Sequence, residues 1–312
     1  MRLEPLSTFQ TSAARANGEA ALQRLTVSVI IPHYNDLENL DLCLSRLEEQ
    51  TYPRNLVEIV VADNNSRCGF EAVKAVVRDR ANIIQATEQG AGPARNAAVE
   101  AGTGEVLAFI DSDCVPDPRW IENGVRALES SDIVGGRVNL FSKDESSLTP
   151  VEAFETAFAF NTKRYIEQKK FSATCNLFVK RHDFMKIGPF KNQVSEDMEW
   201  GHRSVAAGFK LAYADDVVIG HPTRRNWPEL ARKWRRLTHE SFVYHRMQGR
   251  STLSWLIMSL FVLASPSLHV FTVIRSAKLS GISHKLKAIG VLMTIRPYRA
   301  YLMLRELTHG KA

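Results

Sequence analysis

Four short apolar runs, each closed by polar residues, constrain this 312-residue chain more than any other feature. Val27–Pro32, Val57–Ala62, Asn82–Ala86 and Val106–Ile110 are rich in branched side chains and too short for helices, so they read as strands. Helical stretches separate them. Leu37, Leu40, Leu44 and Leu47 recur at amphipathic spacing within Asp36–Gln50, which Asn35 or Asp36 can cap. Glu71–Arg80 and a helix running to Ala101 fill the other gaps. Such alternation predicts a right-handed, Rossmann-like three-layer α/β sheet, whose ligands bind beyond the carboxyl ends of the strands. Pro32–Asp36, Asp63–Ser66 and Asp111–Asp113 all fall there.

The exit of the fourth run carries the most chemistry. Extended alternation would point Asp111 and Asp113 one way and Ser112 the other. Pro116 and Pro118 should forbid further strand. Neighbouring carboxylates repel, and a hard divalent cation, Mg²⁺ or Mn²⁺, would relieve that repulsion. The bland alternative is a loop with two solvated aspartates. Asp63 is an acceptor suited to a base N–H, or only a turn cap. The Gly90–Asn96 turn sets Arg95 near a helix start, where backbone N–H groups and charge favour phosphate. Ser195 opens another helix whose first turn holds Glu196, Asp197 and Glu199. These acids either complement the helix dipole or include a general base. His221 is a candidate further metal ligand, although lone histidines are more often structural. Trp200 and Trp227 could stack on a sugar ring or lie in the core.

Further strands are expected at Ile133–Leu140 and Cys175–Val179, and short strand pieces at Leu211–Ala214 and Val217–Ile219. Helices are expected at Pro150–Gln168, with an aromatic face of Phe154, Phe158 and Tyr165, at Glu196–Ala207 and at Trp227–Gly249. Charge divides the chain. Of 40 Lys and Arg and 34 Asp and Glu, 16 and 3 lie from Pro222 onward, leaving 24 and 31 before it. The basic part also holds Ser251–Ile274, which has no charged residue but is interrupted by Ser259, Ser265, Pro266 and His269. A bent, half-inserted or hairpin segment fits it better than a simple span, the alternative to membrane contact being a buried core helix. A basic region next to an apolar stretch points to an anionic membrane surface and away from nucleic acid. Cys43, Cys68, Cys114 and Cys175 lack C-x-x-C spacing and read as reduced thiols. The expected organisation is a loose arm over 1–24, a catalytic domain over 25–221 and a membrane-associating helical region over 222–312.

In order, Pro32-x-Tyr34-Asn35, Ala62-Asp63-Asn64-Asn65-Ser66, Gly92-Pro93-Ala94-Arg95-Asn96, Asp111-Ser112-Asp113, Asn176, Gly188-x-Phe190, Glu196-Asp197 and Gly201-x-Arg203 resemble glycosyltransferase family 2, over about Thr26 to His221. The resemblance implies a mixed sheet of the glycosyltransferase A-type and an inverting enzyme that uses a nucleotide-diphosphate sugar, most often a UDP-sugar. It puts Pro32, Tyr34, Asn35, Asp63 and Asn64 at the nucleoside and Arg95, Asp111, Ser112 and Asp113 at the nucleotide sugar. Asp111, Asp113 and His221 would hold Mg²⁺ or Mn²⁺, Asp197 beside Glu196 would be the base, and Trp200 and Arg203 would meet the acceptor. Departures are Asn64 in place of a second acid, Asn65 in place of Gly, and Lys191 where Asp often follows Gly-x-Phe. The Gln-x-x-Arg-Trp sequence of processive synthases is only echoed at Ala231–Arg236, which implies one sugar added per encounter. The expected acceptor is a lipid-linked glycan of cell-surface polysaccharide assembly, at the cytoplasmic face of the membrane. Two rivals are a sugar-phosphate nucleotidyltransferase, which would want Gly and Lys in the Pro32–Asp36 loop, and a non-catalytic nucleotide-sugar-binding membrane module.

Overall fold

The structure, a computed structural model, describes residues 25–309. The arm expected over 1–24 lies outside the described residues. Two compact units are present. One holds the described residues up to Val138 with Thr162–Phe190 and Trp200–Gly220; the other holds Asn139–Asn161, Lys191–Glu199 and the residues from His221 onward.

One eight-stranded sheet is built from β1 (Val27–His33), β2 (Val57–Asp63), β3 (Asn82–Gln85), β4 (Val106–Ile110), β5 (Val115–Pro116), β6 (Ile133–Phe141), β7 (Asn176–Lys180) and β8 (Leu211–Pro222). Their spatial order is β3-β2-β1-β4-β7-β6-β8-β5. β3, β2, β1 and β4 run parallel, β7 is antiparallel to β4 and β6, and β5 is antiparallel to β8. The sheet is therefore mixed, as the A-type fold requires. The parallel crossovers are α1 (Leu37–Glu48), α2 (Phe70–Val77) and α3 (Ala91–Ala101). Asp36 caps α1 by accepting from the Asn39 amide at 3.3 Å. Gly90 precedes α3 with φ of 136°, a conformation that side chains rarely adopt. Ile30, Val60, Leu107, Phe109, Leu177 and Trp200 share the main core.

Three local expectations change. Pro116 does take part in a strand, but in a two-residue strand at the sheet edge, where a missing N–H costs no ladder bond. The expected helix over Pro150–Gln168 is two, α5 (Pro150–Phe158) and α6 (Thr162–Lys169), because Phe160 turns the chain through a left-handed backbone with φ of 51°. The two strand pieces near Leu211 and Val217 are one continuous strand, β8.

Three further helices of the first unit's chain are α4 (Trp120–Ala127), α7 (Arg181–Ile187) and α8 (Glu196–Ala206), the last opening on residues of the second unit. The second unit is helical beyond β8: α9 (Trp227–Met247), α10 (Thr252–Ala264), α11 (Pro266–Ile274) and α12 (Gly281–His309). Thr149 and Glu152 form a reciprocal capping box on α5. Phe154, Leu230, Val273, Leu292 and Ile295 form this unit's core. Among the described residues no single helix is long and apolar enough to cross a membrane, but α10 and α11 together are, bent by 46° at Ser265. The bend expected from Pro266 is thus present. Phe261, Leu268 and Ile282 are each more than 70 % exposed.

Candidate active site

The parallel register sets His33 beside Asp63 at the carboxyl ends of β1 and β2. The His33 ring sits between two partners. Its Nε2 accepts from the Asp36 amide at 3.2 Å, so the ring proton lies on Nδ1 and is donated to Asp63 Oδ1, also at 3.2 Å. Asp63 Oδ2 accepts from the Ser66 amide at 3.3 Å, and Ser66 Oγ donates to Oδ1. Asp63 is completely buried. It was expected to meet a base; its oxygens here also knit two loops together, which follows from its position inside β2 rather than after it.

The neighbouring amides are braces too. Asn64 Nδ2 donates to the Glu88 carbonyl at 2.7 Å and its Oδ1 accepts from the Gly90 amide at 2.8 Å, so it holds the turn before α3. Asn35 Oδ1 accepts from the Arg67 amide at 2.6 Å. The Asn64 amide is thus engaged at both ends, whereas Asn35 is exposed and engaged through its oxygen. Asn65 has φ of 59°, a left-handed position that explains why the family pattern has Gly here and why Asn can replace it. Pro32 is half-buried at the end of β1, and Tyr34 is 45 % exposed. Of the residues expected at the nucleoside, Tyr34 is the one whose ring stands open.

At the end of β4 the chain turns at once, with the Cys114 amide donating to the Asp111 carbonyl at 3.0 Å. The extended alternation expected at Asp111–Asp113 is therefore replaced by a turn. Its outcome is similar: Ser112 is buried, while Asp111 and Asp113 are half-buried. Ser112 thus faces inward rather than toward a donor. Arg95 is buried in α3 and donates from Nη2 to Asp111 Oδ1 at 2.6 Å. It was expected to contact phosphate directly; the buried pairing makes it the residue that orients Asp111. Two thiols lie behind these acids. Burial first, then the charges of Asp113 and Asp111, push the Cys43 thiol well above its ordinary range, and Cys114 is raised by burial, by Cys175 and by the same two acids. Neither thiol is a nucleophile at neutral pH. Two oxygen ligands, half-open and with one fixed by a guanidinium, fit Mg²⁺ or Mn²⁺ and not a soft metal.

In the second unit, Glu196 and Asp197 lie in the field of α9. Burial opposes its charge, but Glu240, Glu196 and Asp197 hold Arg236 above its ordinary value. Arg236 Nη1 donates to both Glu240 oxygens, at 3.1 and 3.3 Å. Burial, against the pull of Arg236 and with the charges of Glu196 and Asp197, pushes Glu240 up to about 7. Lys191, the departure from the family pattern, pairs with Glu199 at 2.8 Å. His221 Nδ1 donates to the Pro222 carbonyl at 2.7 Å, the kind of bond that fixes the tautomer of metal-ligating histidines.

The acceptor residues expected on α8 are corrected. Trp200 is 2 % exposed, packs on Phe184 and Phe190, and donates its indole N–H to the Gly188 carbonyl at 3.0 Å. Arg203 donates to the Ile187 and Pro189 carbonyls. Both hold the turn at Gly188-x-Phe190 and neither is placed to stack on a sugar. Trp227, the other candidate for a sugar ring, is 38 % exposed and packs against Tyr298. His33 and Glu240 are absent from the expected residues. A histidine between Pro32 and Tyr34 at a strand end, and a glutamate four residues after Arg236, were the available signals.

A family model described as Glycosyl transferase family 2 matches residues 28–190. The chain is 35 % identical over 206 residues to glycosyltransferase AglE of Haloferax volcanii, covering 64 % of this chain and 67 % of that one. It is 31 % identical over 90 residues to the poly(ribitol-phosphate) beta-N-acetylglucosaminyltransferase TarS of Staphylococcus aureus, covering 28 % of this chain and only 16 % of TarS. A solved structure of the mannosyltransferase PcManGT from Pyrobaculum calidifontis, in complex with GDP-Man and Mn²⁺, superposes with a TM-score of 0.60 at 18 % identity, over 97 % of this chain and 98 % of that one.

Proposed function

The chain belongs to glycosyl transferase family 2, and from that premise we propose that it is an inverting, metal-dependent enzyme that moves a sugar from a nucleotide-diphosphate sugar to a hydroxyl of a lipid-linked glycan. The observation that carries the reading is the half-open pair Asp111 and Asp113 at the end of β4, with Arg95 locked onto Asp111. Asp111 and Asp113 would hold Mg²⁺ or Mn²⁺, with His221 a candidate third ligand. The cation would offset charge on the departing diphosphate. The exposed Tyr34 would stack on the donor's base, most often that of a UDP-sugar.

Asp197 removes the proton of the acceptor hydroxyl as that oxygen attacks the anomeric carbon from the face opposite the diphosphate. Arg236, held by Glu240, steadies the charge of Glu196 and Asp197. The bent pair α10–α11, with exposed Phe261 and Leu268 and basic residues on both flanks, supports a peripheral or partly inserted place at the cytoplasmic face of a membrane. Cell-surface polysaccharide assembly is the setting this suits.

The test is a screen of UDP- and GDP-sugars for metal-dependent hydrolysis and transfer. Asp113→Ala should weaken nucleotide binding, whereas Asp197→Ala should spare binding and abolish transfer. Nucleotide affinity with no turnover, with or without acceptor, would leave only a binding module.

A further inference from the structure

Two arginines of α12 are built differently from every other interior cation of the second unit described above. Glu155 meets Lys233 at 2.7 Å and Arg224 at 3.2 Å, and Glu240 meets Arg236. Among the described residues no carboxylate pairs with Arg296 or Arg299. The Arg299 guanidinium carbon lies over the Trp234 ring at 3.8 Å from its centroid, and that of Arg296 lies 6.0 Å from the Phe158 ring centroid. Both are only half-buried as whole residues, yet their Nε atoms are enclosed, and no acceptor among the described residues takes a hydrogen bond from either. The indole Nε1 of Trp234 is likewise enclosed and unmatched, and so is Thr238 Oγ1 one turn along the same face of α9. Donors accumulate here and acceptors do not. Burial and then the charge of Arg296 push the Arg299 guanidinium downward, with no acid to lift it.

An enclosed donor without an acceptor costs about 1–3 kcal/mol, more when charged. A fold meets that cost with an internal carboxylate, as at Glu155, unless the acceptor arrives from outside. Two guanidiniums three residues apart on one helix, one of them close over an indole ring, match the several oxygens of a phosphate or diphosphate. Exposed apolar residues stand on the same helix: Ile282, Leu286, Met293, Tyr301 and Leu304.

We propose that Arg296 and Arg299, with Trp234 beneath Arg299, form a binding site for the phosphate or diphosphate of a lipid. The site rests on the lipid-linked reading above and deepens it, by naming the group through which the acceptor is held. The same oxygens could come from an anionic phospholipid headgroup, and the experiment separates the two.

The probes are inorganic pyrophosphate and phosphatidylcholine vesicles carrying either a polyprenyl phosphate or phosphatidylglycerol at equal charge. The proteins are the full chain and Arg296→Met with Arg299→Met. Without added metal, pyrophosphate should raise the melting temperature of the wild type and leave that of the double variant unmoved. In the absence of any anion the double variant should melt higher than the wild type, because it lacks an unmatched enclosed charge. A purely structural role would lower it. Wild-type preference for polyprenyl phosphate vesicles, lost in the double variant, assigns the site to the acceptor. Equal retention on both charged vesicles, lost in the double variant, assigns it to headgroups. A double variant that melts lower and responds to pyrophosphate like the wild type overturns the site. Wild-type nucleotide-sugar hydrolysis, measured alongside, fails only if the enzymatic reading itself is wrong.

Discussion

The two units satisfy their interior arginines in opposite ways. In the sheet unit each interior arginine reaches oxygen through at least one guanidinium nitrogen, although the Arg95 Nε, like those of Arg296 and Arg299, is enclosed with no acceptor among the described residues. Arg95 takes Asp111, Arg203 takes two carbonyls, and Arg181 takes the Gly104 carbonyl at 2.6 Å, the Val99 carbonyl at 2.8 Å and Ser28 Oγ at 3.1 Å. In the helical unit Arg296 and Arg299 lie near aromatic rings, and their enclosed Nε atoms have no acceptor among the described residues. Where the partner is built in, the cation is scaffold. Where it is missing, the fold has kept donors at a cost, which is the mark of a place meant for something else.

The largest effect that tests this distinction comes from two carboxylates of the same unit. Asp197 is assigned to chemistry and Glu155 to scaffold. Asp197→Asn is expected to lower kcat by about 10²–10⁴-fold, with nucleotide affinity retained in isothermal titration. Glu155→Ala strands Lys233 and Arg224, and should cost about 3–5 kcal/mol in urea unfolding while the surviving folded enzyme turns over normally. Glu155 is held below its ordinary pKa by Lys233 and Arg224 in spite of burial. Its contribution is therefore present above the carboxylate range and lost as pH falls through its lowered value. An Asp197→Asn variant that unfolds readily, or a Glu155→Ala variant that is stable but inert, would exchange the two assignments.

Arg95 sharpens the contrast at smaller size. Its bond to Asp111 is charge-assisted and nearly enclosed, so Arg95→Met should destabilise by about 1.5–3 kcal/mol. It should also weaken metal-dependent nucleotide binding, since Asp111 loses the group that orients it. Arg299→Met, by the same measurement, should move stability the other way. If both substitutions destabilise equally, the distinction between met and unmet arginines has no consequence.

Much of this was legible in the residues. Period and turn chemistry gave the parallel strands within one or two residues, since buried parallel strands must be apolar and their exits polar. The bend at Pro266 could be read because proline lacks the N–H a helix needs. What was hidden depended on partners distant in sequence. Asp63 reads as a loop acid until His33 and Ser66 are seen closing on it, and Trp200 reads as a sugar platform until Phe184 and Phe190 are seen packed against it. Arg203 belongs to the same class. The split at Phe160 was invisible because a left-handed phenylalanine has no local signature. Asn65 is the opposite case: a family Gly replaced by Asn already signals a left-handed residue.

The smallest expected effect concerns pH, and it also divides scaffold from chemistry. Glu240 is raised to about 7. A carboxyl whose folded pKa lies above its unfolded value gives stability that is complete below the unfolded pKa of 4.5 and lost as pH rises through about 7. Stability from Glu240 and from Glu155 therefore fades in opposite directions. Activity should follow the ionisation. Below pH 7 a neutral Glu240 leaves the charge of Arg236 uncompensated, which makes Asp197 a weaker base. Above it, ionised Glu240 takes up part of that charge. The rate should rise through pH 7 by about two- to fivefold, the range of one partly screened charge pair. Glu240→Gln should flatten this limb in kcat while leaving the nucleotide affinity and its pH dependence as they are. A limb that persists in Glu240→Gln belongs to another group, and Arg236 would then act on Glu196 and Asp197 without a titrating partner.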